Sequence, residues 1–213
     1  MPSKPRRKAT ARHKKAYPRI RIVARAKLPT GFGPFEILGI EGRNAEENAV
    51  ALVHGRIRNQ TPLVRIHSQC FTGDVLASER CDCRAQLELS LRRISASPAG
   101  ILLYLPQEGR GIGLMNKLRA YELQDRGMDT VQANEELGFA ADSRDYGFSA
   151  AALRLLGVSR IRLLSNNPDK VRQLQDAGIR VVERVPCRPR TSRTSQAYLE
   201  TKRTKMGHLL DQL

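Results

Sequence analysis

Residues 100–126, GILLYLPQEGRGIGLMNKLRAYELQDR, carry a strand signal, a turn signal and a helix signal in direct succession. Residues 100–105 are a continuous apolar run, which is typical of a buried strand. Residues 112–126 have the composition of a helix, and Gly127 is a good C-terminal stop for it. The apolar side chains of this helix fall on one stripe, formed by Leu114, Leu118, Tyr121 and Leu123. The segment therefore predicts a buried strand joined by a glycine-rich turn to an amphipathic helix.

The alternation of strands and helices continues towards the C-terminus, whereas strands dominate the first third of the chain. The patterns predict strands at 20–28, 35–40, 48–57, 62–67, 160–164 and 179–185, and helices at 83–94, 149–156 and 168–177. The first two strands flank the turn sequence PTGFGP and are expected to form a hairpin. Neither an internal repeat nor a clear linker divides this pattern. The predicted fold is a single domain of the α+β (α/β-like) class, with a mixed sheet and packed helices.

The net charge of +16 is unevenly distributed along the 213 residues. Residues 1–35 hold eleven Lys or Arg and no Asp or Glu, which leaves a net charge of +5 (16 minus 11) for residues 36–213. We expect a disordered basic arm at 1–19, the folded domain at 20–186, and a loop with a short helix at 187–213. A high positive charge often indicates a nucleic-acid partner, but here most of it lies in the arm, so nucleic acid is not expected.

No apolar run reaches the roughly 20 residues that a membrane-spanning helix needs. The basic N-terminus leads into no apolar segment of the kind found in a secretory signal. We therefore expect a cytoplasmic protein without a membrane partner.

Three of the four cysteines, Cys70, Cys81 and Cys83, lie within fourteen positions. In a cytosolic chain such a cluster more often binds a metal than forms disulfides, and thiolates are ligands that suit zinc. Three protein ligands are typical of catalytic zinc sites, which keep a fourth position for water. Zinc lowers the pKa of that water towards roughly 7 and so makes a nucleophile at neutral pH.

The sequence alone leaves other interpretations of the cluster open. A structural zinc site would need a fourth ligand, for which Cys187, His67 and His54 are the candidates. A cluster without any metal is also possible. A nucleobase deaminase is disfavoured, because its signature is H-x-E followed by P-C-x-x-C, whereas this chain has C-x-C with no H-x-E before it. Cys187 lies beyond the last predicted strand, and we expect it to be a free thiol.

Two polar segments follow predicted strands and open predicted helices, as anion-binding segments do. Residues 107–113, QEGRGIG, combine glycines with Arg110, a bidentate donor. Residues 165–170, SNNPDK, place Ser165 at a strand end and Lys170 in the first helical turn. A tight turn or an ordinary helix cap would use similar residues, so neither segment by itself establishes an anion-binding site.

Two other pairs of residues are candidates for the same site. Arg65 and His67 lie at a strand end beside Cys70, which favours a functional role. Asp142 and Arg144 lie just before a helix, where an acid can be an ordinary cap and an arginine an ordinary surface ion pair.

Four long segments, taken together, resemble the GTP cyclohydrolase II family of riboflavin biosynthesis. They are RIHSQCFTGDVLASERCDCRAQLE (65–88), LYLPQEGRGIGLMNKLRAYELQDRGMDTVQAN (103–134), LGFAADSRDY (137–146) and RLLSNNPDKVRQLQDAGIRVVERVP (162–186). Several long motifs in the right order make this resemblance far more specific than any single motif. The resemblance implies that residues 20–186 form a catalytic domain.

The resemblance also implies an activity and its cofactors. GTP would be hydrolysed to 2,5-diamino-6-ribosylamino-4(3H)-pyrimidinone 5′-phosphate, formate and pyrophosphate. One Zn²⁺ per chain would be held by Cys70, Cys81 and Cys83, Mg²⁺ would bind with the substrate triphosphate, and the protein would be a homodimer.

Roles for individual residues are implied in the same way. Tyr121 would lie over C8 of guanine and assist ring opening, and Asp142 would accept a proton. Arg144 would act at the α-phosphate, where stabilising charge is easier for an arginine than nucleophilic attack. The substrate would be contacted by Arg65, Ile66, His67, Ser68, Gln69, Gln86, Glu108, Gly109, Arg110, Thr130, Ser165 and Lys170.

Three features depart from the family pattern. Gln69 stands where the family has Glu, Ser165 stands where Thr is usual, and the basic arm has no counterpart in compact members. Gln69 motivates one alternative, a paralogue in a secondary-metabolite pathway that stops early and retains a formamide. The high net charge motivates another, a zinc-containing protein that binds nucleic acid.

Overall fold

The computed structural model describes residues 20–44, 47–140 and 144–189. The predicted basic arm at 1–19, Asp142 and most of the predicted C-terminal segment at 187–213 lie outside these residues. The strands are β1 (Arg21–Thr30), β2 (Gly33–Glu41), β3 (Asn48–Gly55), β4 (Leu63–Ser68), β5 (Ala99–Leu105), β6 (Arg160–Leu164) and β7 (Arg180–Val185). The helices are α1 (Phe71–Asp74), α2 (Cys83–Ser95), α3 (Leu114–Asp125), α4 (Thr130–Glu136), α5 (Gly147–Leu155) and α6 (Pro168–Asp176), with a 3-10 turn at Glu108–Gly111.

All seven strands form one mixed sheet in the order β1-β2-β3-β5-β4-β6-β7. β1, β2, β3 and β5 pair antiparallel, and β1 and β2 form the predicted hairpin. β5, β4, β6 and β7 pair parallel. Because parallel strands end at the same edge of a sheet, the segments that follow β4, β5 and β6 are brought together there.

Helices cover both faces of the sheet, and β5 contributes side chains to each face. Ile101 of β5 belongs to the larger core, which α5 and α6 complete with Leu153 and Leu174. Leu102, the next residue, belongs to the smaller core, which α2 completes with Ile94. A fully buried side chain of this size contributes roughly 1.5–3 kcal/mol to folding.

Gly100 lets α2 pack closely on β5. A Cβ at this position would lie 2.7 Å from Cγ2 of the fully buried Ile94. Since α2 begins at Cys83, this close packing fixes the position of that cysteine relative to the sheet.

The predicted fold class is confirmed, and within the described residues each predicted strand and helix is present with bounds within two residues, whereas the short helix predicted in 187–213 stays a prediction. The short helices α1 and α4 are additions to the prediction. α4 starts with a capping box between Asp129 and Gln132, a signal that is visible in the sequence. Among the described residues, no helix combines the length and the apolar character that crossing a membrane requires.

The predicted apolar stripe does not describe how α3 packs. Leu118 is 44% exposed, whereas Lys117 and Ala120 are buried. The physical reason is that α3 covers a polar cleft rather than a core, so its inward face carries a lysine.

Candidate active site

An open cleft lies at the carboxyl ends of β4, β5 and β6. Its empty volume is about 1110 Å³, including the solvent-filled mouth. Its walls come from the segment between β4 and α2, from α3 with the turn before it, and from the turn between β6 and α6. Ligands of open α/β sheets bind at this edge, so the cleft is the candidate active site.

Most residues singled out in the sequence lie around this one cleft. The lining includes Arg65, His67, Ser68, Gln69, Cys70, Cys81, Cys83, Gln86, Glu108, Gly109, Arg110, Tyr121, Thr130, Arg144, Ser165 and Lys170. Segments far apart in sequence thus meet at one place. The role of each residue there stays a prediction.

Among the described residues, one predicted site residue, Ile66, is absent from this lining. The side chain of Ile66 is fully buried in the larger core, because alternation along β4 directs it away from the face that carries Arg65 and His67. Only the main-chain oxygen of Ile66 contacts a cleft residue, accepting a hydrogen bond of 2.8 Å from Nζ of Lys170. Asp142 lies outside the described residues.

The three predicted metal ligands form a compact cluster. The sulfurs of Cys70, Cys81 and Cys83 lie within 4.8 Å of one another, and those of Cys70 and Cys81 are 3.6 Å apart. Sulfurs bound tetrahedrally to zinc at about 2.3 Å are about 3.8 Å apart. Gly73 packs against the cluster, since a Cβ there would lie 3.1 Å from the Cys70 sulfur and 3.2 Å from the Cys81 sulfur. The spacing of the donors fits a single zinc ion.

Within the described residues, no fourth Cys, His, Asp or Glu ligand atom joins this cluster. Nε2 of His67 instead lies 3.1 Å from Oδ2 of Asp74, and Nδ1 of His54 lies 3.1 Å from a main-chain oxygen of β2. Cys187 is a free thiol, as expected, and is buried in the smaller core beside Ser90. None of the three candidates for closing a structural site is in position to do so.

The thiols of the cluster are electrostatically coupled. Hydrogen bonds from Cys81 and Cys83 hold the pKa of Cys70 well below its usual value, and Lys117, whose Nζ is 3.1 Å from the Cys70 sulfur, adds to this effect. The hydrogen bond to Cys70 raises the pKa of Cys81 to about 11, and similar contacts raise the pKa of Cys83. A divalent cation would stabilise all three thiolates at once, so that the charge on one sulfur would no longer oppose ionisation of the other two.

Tyr121 lies beside the cluster and is held from two sides. Its hydroxyl is 3.1 Å from Oγ1 of Thr72, which is itself 3.8 Å from the Cys70 sulfur. The guanidinium of Arg80 lies 4.7 Å from the centroid of the Tyr121 ring. Burial raises the pKa of the Tyr121 phenol, so the side chain is neutral near pH 7 and is able to donate a proton.

The turn after β5 has an unusual backbone conformation. Gly109 (φ 59°) and Arg110 (φ 62°) are consecutive left-handed residues. A non-glycine residue in this region costs about 1–3 kcal/mol, which functional sites often tolerate. Within this turn the N–H of Gly109 donates to Oε1 of Glu108 (3.1 Å), and the N–H of Gly113 donates to the main-chain oxygen of Glu108 (3.1 Å).

Three further cations line the cleft, namely Arg65, Arg144 and Lys170. Arg65 donates from Nη1 to the main-chain oxygen at the end of β6 (3.1 Å) and from Nη2 to Oε1 of Gln86 (2.6 Å). The ammonium of Lys170 lies 4.8 Å from the centroid of the buried Tyr146 ring. Cations fixed in this way make a preorganised site for a polyanion.

A family model described as GTP cyclohydrolase II matches residues 21–186, a range that contains the whole lining of the cleft. The chain belongs to the GTP cyclohydrolase II family. The resemblance found in the sequence is thereby confirmed, and the protein is an enzyme of this family, a hydrolase of riboflavin biosynthesis.

Individual relatives of the GTP cyclohydrolase II family match over nearly their whole length. The GTP cyclohydrolase-2 of Buchnera aphidicola is 52% identical over 194 residues, which cover 91% of this chain and 100% of that protein. The GTP cyclohydrolase-2 of Citrobacter koseri is 55% identical over 192 residues, which cover 90% of this chain and 98% of that protein. A solved two-domain 3,4-dihydroxy-2-butanone 4-phosphate synthase from A. baumannii aligns over 68% of this chain and 34% of its own, with a TM-score of 0.38 and 20% identity, a likeness too low to bear on the fold.

Two cleft residues depart from the pattern expected of a GTP cyclohydrolase II. Gln69 follows β4 beside Cys70 and presents a neutral amide where the resemblance led us to expect a carboxylate, so the expected negative charge is missing near the thiols. Ser165 keeps a hydroxyl, whose oxygen accepts a hydrogen bond of 3.1 Å from the main-chain N–H of Asn167. Ser165 therefore stabilises the turn into α6 as well as lining the cleft.

Glu108 has partners that its predicted contact with GTP does not require. Its buried carboxylate accepts hydrogen bonds from the N–H of Phe71 (2.6 Å) and from Nζ of Lys117 (2.7 Å). These bonds leave the main chain of Glu108 as the better candidate for a substrate contact.

Asp74 is a site residue that the sequence analysis missed. Its buried carboxylate accepts from the N–H of Cys70 (3.1 Å) and from the hydroxyl of Tyr104 (2.9 Å), and it pairs with His67. Burial lowers the pKa of His67 although Asp74 partly opposes this, so the imidazole is neutral near pH 7. The only signal in the sequence was the spacing of four residues from Cys70, which one helical turn brings back.

Lys117 was also missed, because a lysine on a predicted amphipathic helix normally faces solvent. Burial lowers the pKa of Lys117, but hydrogen bonds to Glu108 and to Cys70 outweigh it, and the pKa is raised overall. The side chain therefore stays charged inside the cleft.

Proposed function

We propose that this protein hydrolyses GTP to 2,5-diamino-6-ribosylamino-4(3H)-pyrimidinone 5′-phosphate, formate and pyrophosphate. One Zn²⁺ is held by Cys70, Cys81 and Cys83, and Mg²⁺ enters with the triphosphate. The observation that carries this proposal is that three closely spaced thiols, a neutral tyrosine and several cations share one cleft. The relatives named GTP cyclohydrolase-2 support the choice of GTP as the substrate.

The residues near the thiols carry out the ring opening in this proposal. Zinc, when bound by the cysteines, lowers the pKa of a water ligand and so supplies a nucleophile at neutral pH. Tyr121, which Thr72 and Arg80 hold in place, donates a proton to the nitrogen that leaves C8 of guanine as the ring opens. Asp142 is proposed to accept a proton from the attacking group.

The cations of the cleft bind and position the triphosphate. Arg65, Arg110 and Lys170 neutralise its charge. Arg144 stabilises the charge that develops at the α-phosphate as pyrophosphate leaves. The remaining predicted contacts, to the purine and ribose, are His67, Ser68, Gln69, Gln86, Thr130 and Ser165, with the main chain of Ile66 and Glu108.

The test is a product assay on the full chain with GTP and Mg²⁺, in which formate, pyrophosphate and product absorbance are followed alongside elemental analysis for zinc. We expect one formate and one pyrophosphate per GTP consumed, and one zinc per chain. Cys81→Ser should lose both zinc and turnover, whereas Cys187→Ala, in the smaller core, should keep both. Absence of product from fully zinc-loaded protein would refute the proposal.

The two alternatives predict different results in the same assay. A formamide product without formate would indicate the paralogue, and Gln69→Glu would then be the variant to test for restored formate release. Salt-sensitive RNA or DNA binding that survives deletion of residues 1–19, with no GTP turnover, would indicate the nucleic-acid-binding protein.

We also propose a homodimer, as the family resemblance implies. Large apolar side chains are exposed at Val75 and Leu76 after α1 and at Met115 and Leu118 on α3, and a subunit contact would cover them. Sedimentation of the wild type and of Met115→Glu tests this, since the introduced charge should shift a dimer towards monomer.

A further inference from the structure

Lys117 is a buried charge that the proposed reaction does not use. Only 9% of the residue is exposed, on the face of α3 that covers the cleft. Its ammonium donates to the Cys70 sulfur (3.1 Å) and to Oε1 of Glu108 (2.7 Å). A charge is costly to bury unless it is paired and hydrogen-bonded, so these two partners are what keep the ammonium in this position.

Glu108 connects Lys117 by hydrogen bonds to the main chain beside Cys70. Its second oxygen, Oε2, accepts from the N–H of Phe71, the residue directly after Cys70. On the other side, Asp74 accepts from the N–H of Cys70 itself. Cys70 is therefore fixed by hydrogen bonds to its sulfur and to the main chain at and after it.

We infer that Lys117 is a positioning residue for the metal site, which donates a charge-assisted hydrogen bond to the Cys70 thiolate and so orients this ligand and limits the electron density it gives to the metal. The inference rests on the proposed function, because it takes the three cysteines to be metal ligands. Outer partners of metal ligands typically change metal affinity by about 10- to 100-fold. A sulfur that donates less density leaves the metal a stronger Lewis acid.

A purely structural role for Lys117 would be to neutralise the buried Glu108. The two roles separate in a double variant. Lys117→Met alone removes the bond to sulfur and also leaves Glu108 as an unpaired buried charge. Lys117→Met with Glu108→Gln removes that charge, while the amide oxygen of Gln still accepts from Phe71. Glu108→Gln also removes the acceptor of the Gly109 N–H (3.1 Å), so the double variant is compared with Glu108→Gln alone, from which it differs only at Lys117.

The experiment uses Co²⁺ as the probe in the full chain, because its thiolate-to-metal charge-transfer band reports the electron density on the sulfurs. Affinity for Co²⁺ is measured by competition with a chromophoric chelator, and folding is checked by thermal unfolding. Arg119→Met is the matched control, since Arg119 lies on the same helix but faces solvent.

We expect the charge-transfer band to move to lower energy in both the single and the double variant, because the Cys70 sulfur then gives more electron density to the metal. Arg119→Met should match the wild type. A double variant with the band of Glu108→Gln alone would overturn the inference, since neutralising Glu108 would then be the whole role of Lys117. Failure of the wild type to bind Co²⁺ at all would instead refute the metal site of the proposed function.

Discussion

Gly73→Ala is expected to weaken zinc binding through the added methyl group alone. The new Cβ would lie 3.1 Å from the Cys70 sulfur, 3.2 Å from the Cys81 sulfur and 3.4 Å from Cβ of Cys83. Favourable contacts begin at about 3.5–4.0 Å between heavy atoms, so the sulfurs must move by roughly 0.3–0.8 Å. Functional metal sites tolerate about 0.2 Å in ligand distances, which makes this displacement too large to absorb without cost.

The size of the effect follows from the cost of overpacking. One methyl group too many in a packed interior costs about 1–3 kcal/mol. If the strain falls on the metal site, the affinity for zinc drops by about 5- to 150-fold, since 1.4 kcal/mol is a factor of ten. The metal-free protein should lose less stability, because Gly73 lies in α1 and alanine is favoured over glycine in a helix by roughly 1 kcal/mol.

The assay is competition for Zn²⁺ with a chromophoric chelator, alongside thermal unfolding with and without the metal. Gly31→Ala is the control, since a Cβ there meets nothing within 4 Å. If Gly73→Ala binds zinc as tightly as Gly31→Ala and the wild type, the sulfurs do not bind the metal in the arrangement described here.

Three further predictions concern Tyr121, Cys187 and His67. Thr72→Val removes the hydrogen bond to the Tyr121 hydroxyl and should lower kcat by roughly 2- to 12-fold with little change in KM. Thr72→Ser keeps a hydroxyl and should retain the wild-type kcat. Equal losses in both variants would contradict a role for this hydrogen bond in positioning Tyr121. Cys187→Ala should keep one zinc per chain by elemental analysis. It should lower the free energy of unfolding by roughly 1 kcal/mol, because the Cys187 thiol packs in the smaller core. Loss of zinc from this variant would instead support a structural zinc site closed by Cys187. Burial holds the pKa of His67 in the folded protein below the ordinary value of 6.5, so the unfolded chain binds more protons as the pH falls below 6.5 and stability is lost in that direction. Urea unfolding between pH 7.5 and 5.5 should therefore show that the free energy of unfolding falls more steeply with pH in the wild type than in His67→Asn, by up to about 1.4 kcal/mol per pH unit. Equal slopes in the two proteins would contradict the lowered pKa of His67.

The sequence predicted those parts of the site that depend on residue type and local spacing. The residue type and spacing of Cys70, Cys81 and Cys83 predicted a group that could hold a metal, and these three sulfurs do lie together. The glycines around Arg110 indicated a turn with unusual backbone angles. The strands that end at the cleft could be located for the same reason, since a continuous apolar run marks a buried strand wherever it lies.

The contacts that the sequence did not predict join different segments. Lys117 and Cys70 are 47 positions apart, and Phe71 and Glu108 are 37 positions apart. Whether such side chains meet depends on the register of β4 and β5 and on the rotation of α3, neither of which a local pattern determines. The prediction that the apolar stripe of α3 is its buried face was wrong for the same reason. Periodicity shows that a helix has two faces, but it does not show which of them is covered.

The range of sequence separations within the cleft has a consequence for how the molecule assembles. The three thiols come from fourteen consecutive residues, whereas the bond from Arg65 to the end of β6 joins residues 99 positions apart. Closing a short loop costs less chain entropy than closing a long one, so the cysteine loop is expected to form early and the opposite wall late. Cys70, Cys81 and Cys83 are all synthesised before β6, so a metal held by them, as proposed, would bind before the opposite wall of the cleft is completed.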